Sequence, residues 1–154
     1  MHASRILTFF VEVWCPRTGG AAVMQINVSA PDRWDQDYRI PDVAVMQPDR
    51  LPQGEAMFVQ PNVVFEVRSP GDETDEKLAF YAAVGVEGVV VVDRDTKATQ
   101  VFALSSGTFA LVPPSADGWT LVKPIDVELR AESIDRGSAL HLRLRGDRET
   151  TRAI

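Results

Sequence analysis

Asp42, Glu66 and Lys77 are the residues of this sequence whose types and spacing suit the binding of a divalent cation beside an amine. Glu66 is the anomaly. It stands between Val63-Val64-Phe65 and Val67, and an ionised carboxylate in so apolar a stretch is costly unless something compensates it. Arg68, two residues on and on the same face of an extended strand, is one candidate partner, and a divalent cation is another. Asp42 opens the preceding apolar stretch directly after Pro41. If the two stretches are neighbouring strands, both acids converge at one end of a sheet. Like charges a few ångströms apart raise each other's proton affinity unless a cation lies between them. Oxygen donors of this kind suit Mg²⁺ or Mn²⁺. Lys77 follows on a helix, four residues before Tyr81 and on the same side, within reach of that sheet end. A cation-bound water beside an ammonium suits phosphodiester hydrolysis, in which charge builds on the phosphate. Each residue alone also has a plainer reading. Asp42 fits a turn after proline, Glu66 half of an ion pair with Arg68, and Lys77 a solvated helix lysine.

The elements that position these residues read as follows. Met1 to Cys15 has Ile6, Phe9, Phe10 and Val13 at helical spacing, with Ser4 as the expected N-cap and Pro16 with Gly19-Gly20 as the stop. Glu12 within the apolar run argues for a helix rather than a secretory leader. Ala22 to Ser29 alternates as a half-buried strand, and Asp42 to Gln47 is a second strand. Pro31 to Arg39 and Pro48 to Pro61 read as loops. Asn62 to Arg68 is the most strand-like piece. Pro70-Gly71 ends it, and Asp72 to Val84 follows as a helix capped by Asp72 or Thr74, with Leu78, Tyr81, Ala82 and Gly85 on one stripe. Val89 to Asp93 is a continuous apolar strand, so the helix before it reads as a βαβ crossover. Thr99 to Leu104 and Thr108 to Val112 form an expected hairpin around Ser105-Ser106-Gly107. Trp119 to Val122, Val127 to Leu129 and the alternating Leu140, Leu142 and Leu144 are shorter strands. The expectation is one α/β domain over residues 1–145, with 146–154 as a loosely ordered polar tail.

Composition bounds the alternatives. The chain has 154 residues, 45% of them hydrophobic, and a formal net charge of -6. That length fits one domain, and the apolar fraction excludes disorder. No apolar stretch spans a bilayer. The single Cys15 excludes an internal disulfide and points to a reducing, cytoplasmic setting. The acidic balance gives no global pull toward nucleic acid, so a local patch or a metal must supply it. Trp34, between Arg33 and Arg39, reads as a loop cover, with base stacking as the alternative. His2 and His141 form no metal cluster.

The ordered set Arg39-Ile40-Pro41-Asp42-Val43-Ala44-Val45, then Val64-Phe65-Glu66-Val67-Arg68-Ser69-Pro70, then Lys77, Tyr81 and Gly85-Val86, then Val89 to Asp93, resembles the Uma-two family. That family is labelled as restriction endonucleases and resembles the PD-(D/E)XK nuclease superfamily. The resemblance covers about residues 39 to 104. It implies a restriction-endonuclease-like mixed central β-sheet flanked by helices, with the C-terminal antiparallel strands as an addition. The helix Met1 to Cys15 corresponds to the family's early helix. The resemblance further implies that Asp42 and Glu66 are the metal-binding acids, aided by a backbone carbonyl near Val67. The superfamily's lysine normally sits two residues after the glutamate, where this chain has Arg68. In this family the lysine has moved to the helix, so Lys77 takes its role and Arg68 contacts the scissile phosphate. The function so implied is a metal-dependent endonuclease hydrolysing DNA with Mg²⁺ or Mn²⁺, working as a homodimer. Two rivals remain: a non-catalytic interaction or dimerisation module on the same scaffold, and a hydrolase of smaller phosphate esters.

Overall fold

The structure, a computed structural model, describes residues 2–69, 71–72 and 75–154. Its first sheet has six strands in sequential order: β1 (Ala21–Val23), β2 (Val43–Met46), β3 (Val63–Arg68), β4 (Gly88–Asp93), β5 (Thr99–Ser105) and β6 (Thr108–Leu111). β3 and β4 are parallel and every other neighbouring pair is antiparallel. Parallel neighbours need a crossover, and the helix Asp75–Ala83 supplies it. The second sheet is antiparallel in the order β10-β9-β8-β7. Its strands are β7 (Thr120–Val122), β8 (Val127–Ile134), β9 (Gly137–Leu144) and β10 (Arg152–Ala153).

The opening helix α1 (His2–Phe9) passes through a π-helical segment (Phe10–Trp14) into α2 (Cys15–Thr18), so the crossover helix Asp75–Ala83 is α3. Ser4 lies inside this helix rather than capping it, and Pro16 does not end it. Within the π segment the Cys15 N–H reaches back to the Phe10 carbonyl. This wider turn lies immediately before Pro16, whose ring crowds an ordinary helical register. Gly19, at φ 75°, makes the actual stop. Gly20 lies so close to the Met46 carbonyl and the Trp14 ring that an added Cβ would come within 2.5 Å of both.

Pleating divides the first sheet between two cores. Val43, Val45, Val63, Phe65, Val90 and Val92 face α1 and the inner face of the second sheet, represented by Val127, Leu129, Leu140 and Leu142. Val64, Met46, Val89 and Val91 face Phe80, Tyr81, Val84 and Val86 on and after α3. Glu66 shares the Val64 face, as the alternation predicts, and therefore looks toward α3. The buried residues of α3 are Phe80 and Tyr81, so Phe80 belongs to a stripe from which the spacing analysis omitted it.

Two further expectations need correction, and one falls outside the described residues. The strand expected over Ala22–Ser29 stops at Val23, because Gln25 takes a left-handed φ of 55° and breaks the ladder. Only Val28 resumes pairing, in isolated bridges to Arg39 and Val59. Thr74, an expected cap, lies outside the described residues, as does Pro70. Residues 146–154 are not a loose tail. β10 pairs with β9, Ile154 exchanges both backbone hydrogen bonds with Leu140, and its side chain is 9% exposed. The polar sequence concealed a strand whose one apolar anchor is the final residue. Deleting Arg152–Ile154 is expected to lower stability by about 1.5 kcal/mol, the low end for burying one isoleucine, in urea denaturation.

Candidate active site

The register of β2 on β3 sets Val43 opposite Phe65, so Asp42, the residue before β2, comes to the end of β3 that carries Glu66. Pro41 leads in from the preceding loop, so Asp42 stands where β2 begins and β3 ends. Its Oδ2 accepts the backbone N–H of Val67 at 2.7 Å, which fixes the carboxylate beside the residue after Glu66. Glu66 itself is 8% exposed. One turn of α3 reaches both of its oxygens. The Tyr81 hydroxyl donates to Oε1 at 2.6 Å, and Lys77 Nζ lies 3.7 Å from Oε2. The four-residue spacing of Lys77 and Tyr81 is what allows one helix face to hold both. Asp75 and Glu76 occupy the first turn of α3, where the helix dipole favours negative charge.

The structure thus brings together all three residues that the sequence singles out. Arg68 lines a small cavity of about 10 Å³ with Glu66, Asp72, Lys77 and Leu78, room for about one water. That cavity shares Arg68, Asp72 and Leu78 with a wider groove whose rim also carries Asp75 and Glu76. Tyr81 is a contact of Glu66 that the sequence analysis did not assign: it stood there on the apolar stripe and in the family motif, and the same spacing brings its hydroxyl to the acid. Arg39 lies over the Phe80 ring at 4.8 Å, bound to Asp37 at 2.8 Å. Trp34 stacks on Phe58 at 6.2 Å, as a loop cover does.

Burial acts most strongly on Glu66 and pushes its carboxyl above the usual range. The Tyr81 hydrogen bond and the Lys77 charge pull it back, while the Asp42 charge pushes it further up. The Tyr81 phenol is itself driven far up, first by burial and then by the Glu66 charge, so it stays protonated and remains a donor. A carboxylate raised by burial and by a second carboxylate marks a site short of positive charge. Among the described residues no group of three His, Cys, Asp or Glu is placed to hold a metal. The donor set here is two carboxylates, which fits in kind a hard cation that keeps waters and takes one or two protein ligands.

A family model described as "Uma2: Putative restriction endonuclease" matches residues 2–132. The chain belongs to the Uma2 family. The match includes every element that carries Asp42, Glu66, Lys77 and Tyr81. Uma2 membership extends to residues well outside 39–104, reaching α1 at one side and β8 at the other. Among solved structures, this Uma2 chain is similar to "a putative nuclease belonging to DUF820" from Anabaena variabilis ATCC 29413. The TM-score is 0.58 at 16% identity, covering 75% of this chain and 70% of that one. At such identity the likeness is one of fold, a mixed α/β architecture. No curated protein matches the chain.

Proposed function

We propose that the chain is a nuclease that hydrolyses phosphodiester bonds in DNA, with Mg²⁺ or Mn²⁺ held by Asp42 and Glu66. The observation that supports this reading best is the convergence on Glu66, where Tyr81 takes one oxygen, Lys77 faces the other and the Asp42 charge is felt. Family membership and the nuclease fold of its structural neighbour support it independently. The cation, when bound, supplies a water acidic enough to attack at neutral pH. Tyr81 and the Val67 amide orient the two carboxylates, so little reorganisation is left for the reaction. Lys77, 43% exposed, lines the small cavity beside Glu66 and stabilises charge developing on the phosphate. Arg68, on the same strand face as Glu66, contacts the scissile phosphate. One such site cuts one strand, so double-strand cleavage calls for a homodimer. The lone Cys15 thiol suits a cytoplasmic setting. No helix among the described residues is long and apolar enough to cross a membrane.

The test is plasmid nicking in Mn²⁺ against EDTA. Asp42→Asn and Lys77→Ala are each expected to slow nicking by about 10²-fold, the scale for removing one group that stabilises the transition state. Nicking that persists in EDTA overturns the reading. One observation favours a second substrate class: the groove beside Glu66 is rimmed by Asp72, Asp75 and Glu76, which repel a polyanion. Faster turnover of a small phosphodiester than of plasmid would identify a hydrolase of smaller phosphate esters.

A further inference from the structure

If the substrate is a nucleic acid, the acidic rim around Glu66 leaves its attraction to another part of the surface. The outer face of the second sheet gathers arginines from several elements, with carboxylates between them. In β8 and β9 the residues that alternate with the buried Val127, Leu129, Leu140 and Leu142 point away from the core, and the register sets Glu128 opposite Arg143 and Arg130 opposite His141. Trp119, just before β7, lies among them and is 6% exposed because guanidinium groups cover it. Arg143 lies 3.8 Å and Arg130 4.9 Å from the centre of its ring. Together with Arg148, His141 and Asp117, these residues line a cavity of about 560 Å³.

Guanidiniums gathered on one indole repel one another, so their convergence needs negative charge. The carboxylates that supply it pair with Arg143 and Arg130. Glu128 accepts from Arg143 Nε at 2.8 Å, which leaves the terminal nitrogens of Arg143. Glu132 lies 3.6 Å from Arg130 and 3.1 Å from the His141 ring. Asp117 is engaged by the Ser115 hydroxyl and by the Trp119 N–H at 3.4 Å, and it also feels the Arg143 charge. Arg148 forms no ion pair among the described residues. Contact with the indole pre-orders the two guanidinium forks, and such forks suit bidentate recognition of a tetrahedral oxyanion.

We propose that this cavity is a phosphate-binding site, separate from Asp42 and Glu66, that holds the backbone of a nucleic-acid strand. The nucleic-acid source rests on the nuclease reading; the phosphate chemistry rests on the cavity itself. The test uses the full chain in EDTA, where the proposed cleavage is silent, and follows fluorescence anisotropy of a short labelled DNA duplex as salt is raised. Exposed Arg148 is replaced first, because its loss leaves the stacked pair intact. Arg148→Gln is expected to flatten the dependence of log K on log salt by about 0.9, and Arg130→Gln/Arg148→Gln by about 1.8, while Arg148→Lys keeps the wild-type slope. In a second arm, inorganic phosphate is expected to compete with DNA and to raise the wild-type melting temperature but not that of Arg148→Gln. Unchanged slopes in well-folded variants overturn the site, even if plasmid is nicked. Phosphate stabilisation that depends on Arg148, without DNA binding, overturns the nucleic-acid source and leaves a free-phosphate site. Absence of both effects overturns the proposal entirely. If arginine-dependent DNA binding is present but Mn²⁺ produces no nicking, the nuclease reading falls and the site stands.

Discussion

Glu66→Gln is expected to slow strand nicking steeply and, in the same protein, to raise the melting temperature. The two effects have one cause. Glu66 is buried among apolar neighbours beside a second acid, and its carboxyl is held above the usual range chiefly by loss of water. The folded protein therefore binds this proton more tightly than the unfolded chain does. Below the ordinary glutamate range the group is protonated in both states and imposes no penalty. As pH rises from that range through the folded-state value, the stability due to the tightly held proton is lost. The neutral amide escapes the loss, keeps an oxygen to accept from Tyr81, and leaves behind only the partly exposed Lys77. In EDTA at neutral pH the variant should thus melt higher, by about 2–4 °C for each kcal/mol relieved in a chain of this size, and the two proteins should converge in acid. Nicking should fall by roughly 10³-fold, because an amide neither carries the charge that holds a cation nor tunes its water. Calorimetric melts across pH together with the plasmid assay check both arms. A variant that nicks like wild type, or that melts lower at neutral pH, contradicts the assignment.

Tyr81→Phe should do the reverse to stability. It keeps the ring that packs in the α3 core but deletes the 2.6 Å bond to Glu66 Oε1, the largest influence holding that carboxyl down. A hydrogen bond to a charged group contributes about 1.5–3 kcal/mol, so the variant should lose stability on that scale at neutral pH and much less in acid, where Glu66 carries its own proton. Nicking should drop roughly 10- to 100-fold, as for other groups that orient a ligating carboxylate. The acidic limb of the rate profile should also move to higher pH, because Glu66 then ionises later. A tyrosine that merely filled space would lower the melting point without moving that limb.

How much of this was legible in the sequence depended on burial. β3 and β4 were readable because Val63-Val64-Phe65 and Val89 to Val92 are packed on both faces, and that continuity also identified α3 as a crossover. Glu66 was readable because it alone interrupts the apolar run from Val63 to Val67. β8 was read only as far as Leu129. From Ala131 to Ile134 its side chains are exposed, so no apolar alternation records a strand that the hairpin register alone extends. The end of β1 depended on one residue, Gln25, in a left-handed conformation that its type does not announce. The Trp119 cluster was hidden for a different reason. Its arginines are spread over β8, β9 and the turn beyond, and only strand pairing brings Arg130 and Arg143 onto one ring with Arg148 beside the same cavity.

The indole of Trp14 donates to the Ile125 carbonyl at 2.8 Å, a bond that joins residues 111 positions apart. During translation at about 5–20 residues per second, the opening helix therefore waits roughly 6–20 s for its partner to be synthesised. Over that interval Ile6, Phe10 and Trp14 have no second sheet to rest on. The nascent chain is then at its stickiest, and slowing the ribosome before Ile125 should lower the yield of soluble protein even though the finished molecule is unchanged.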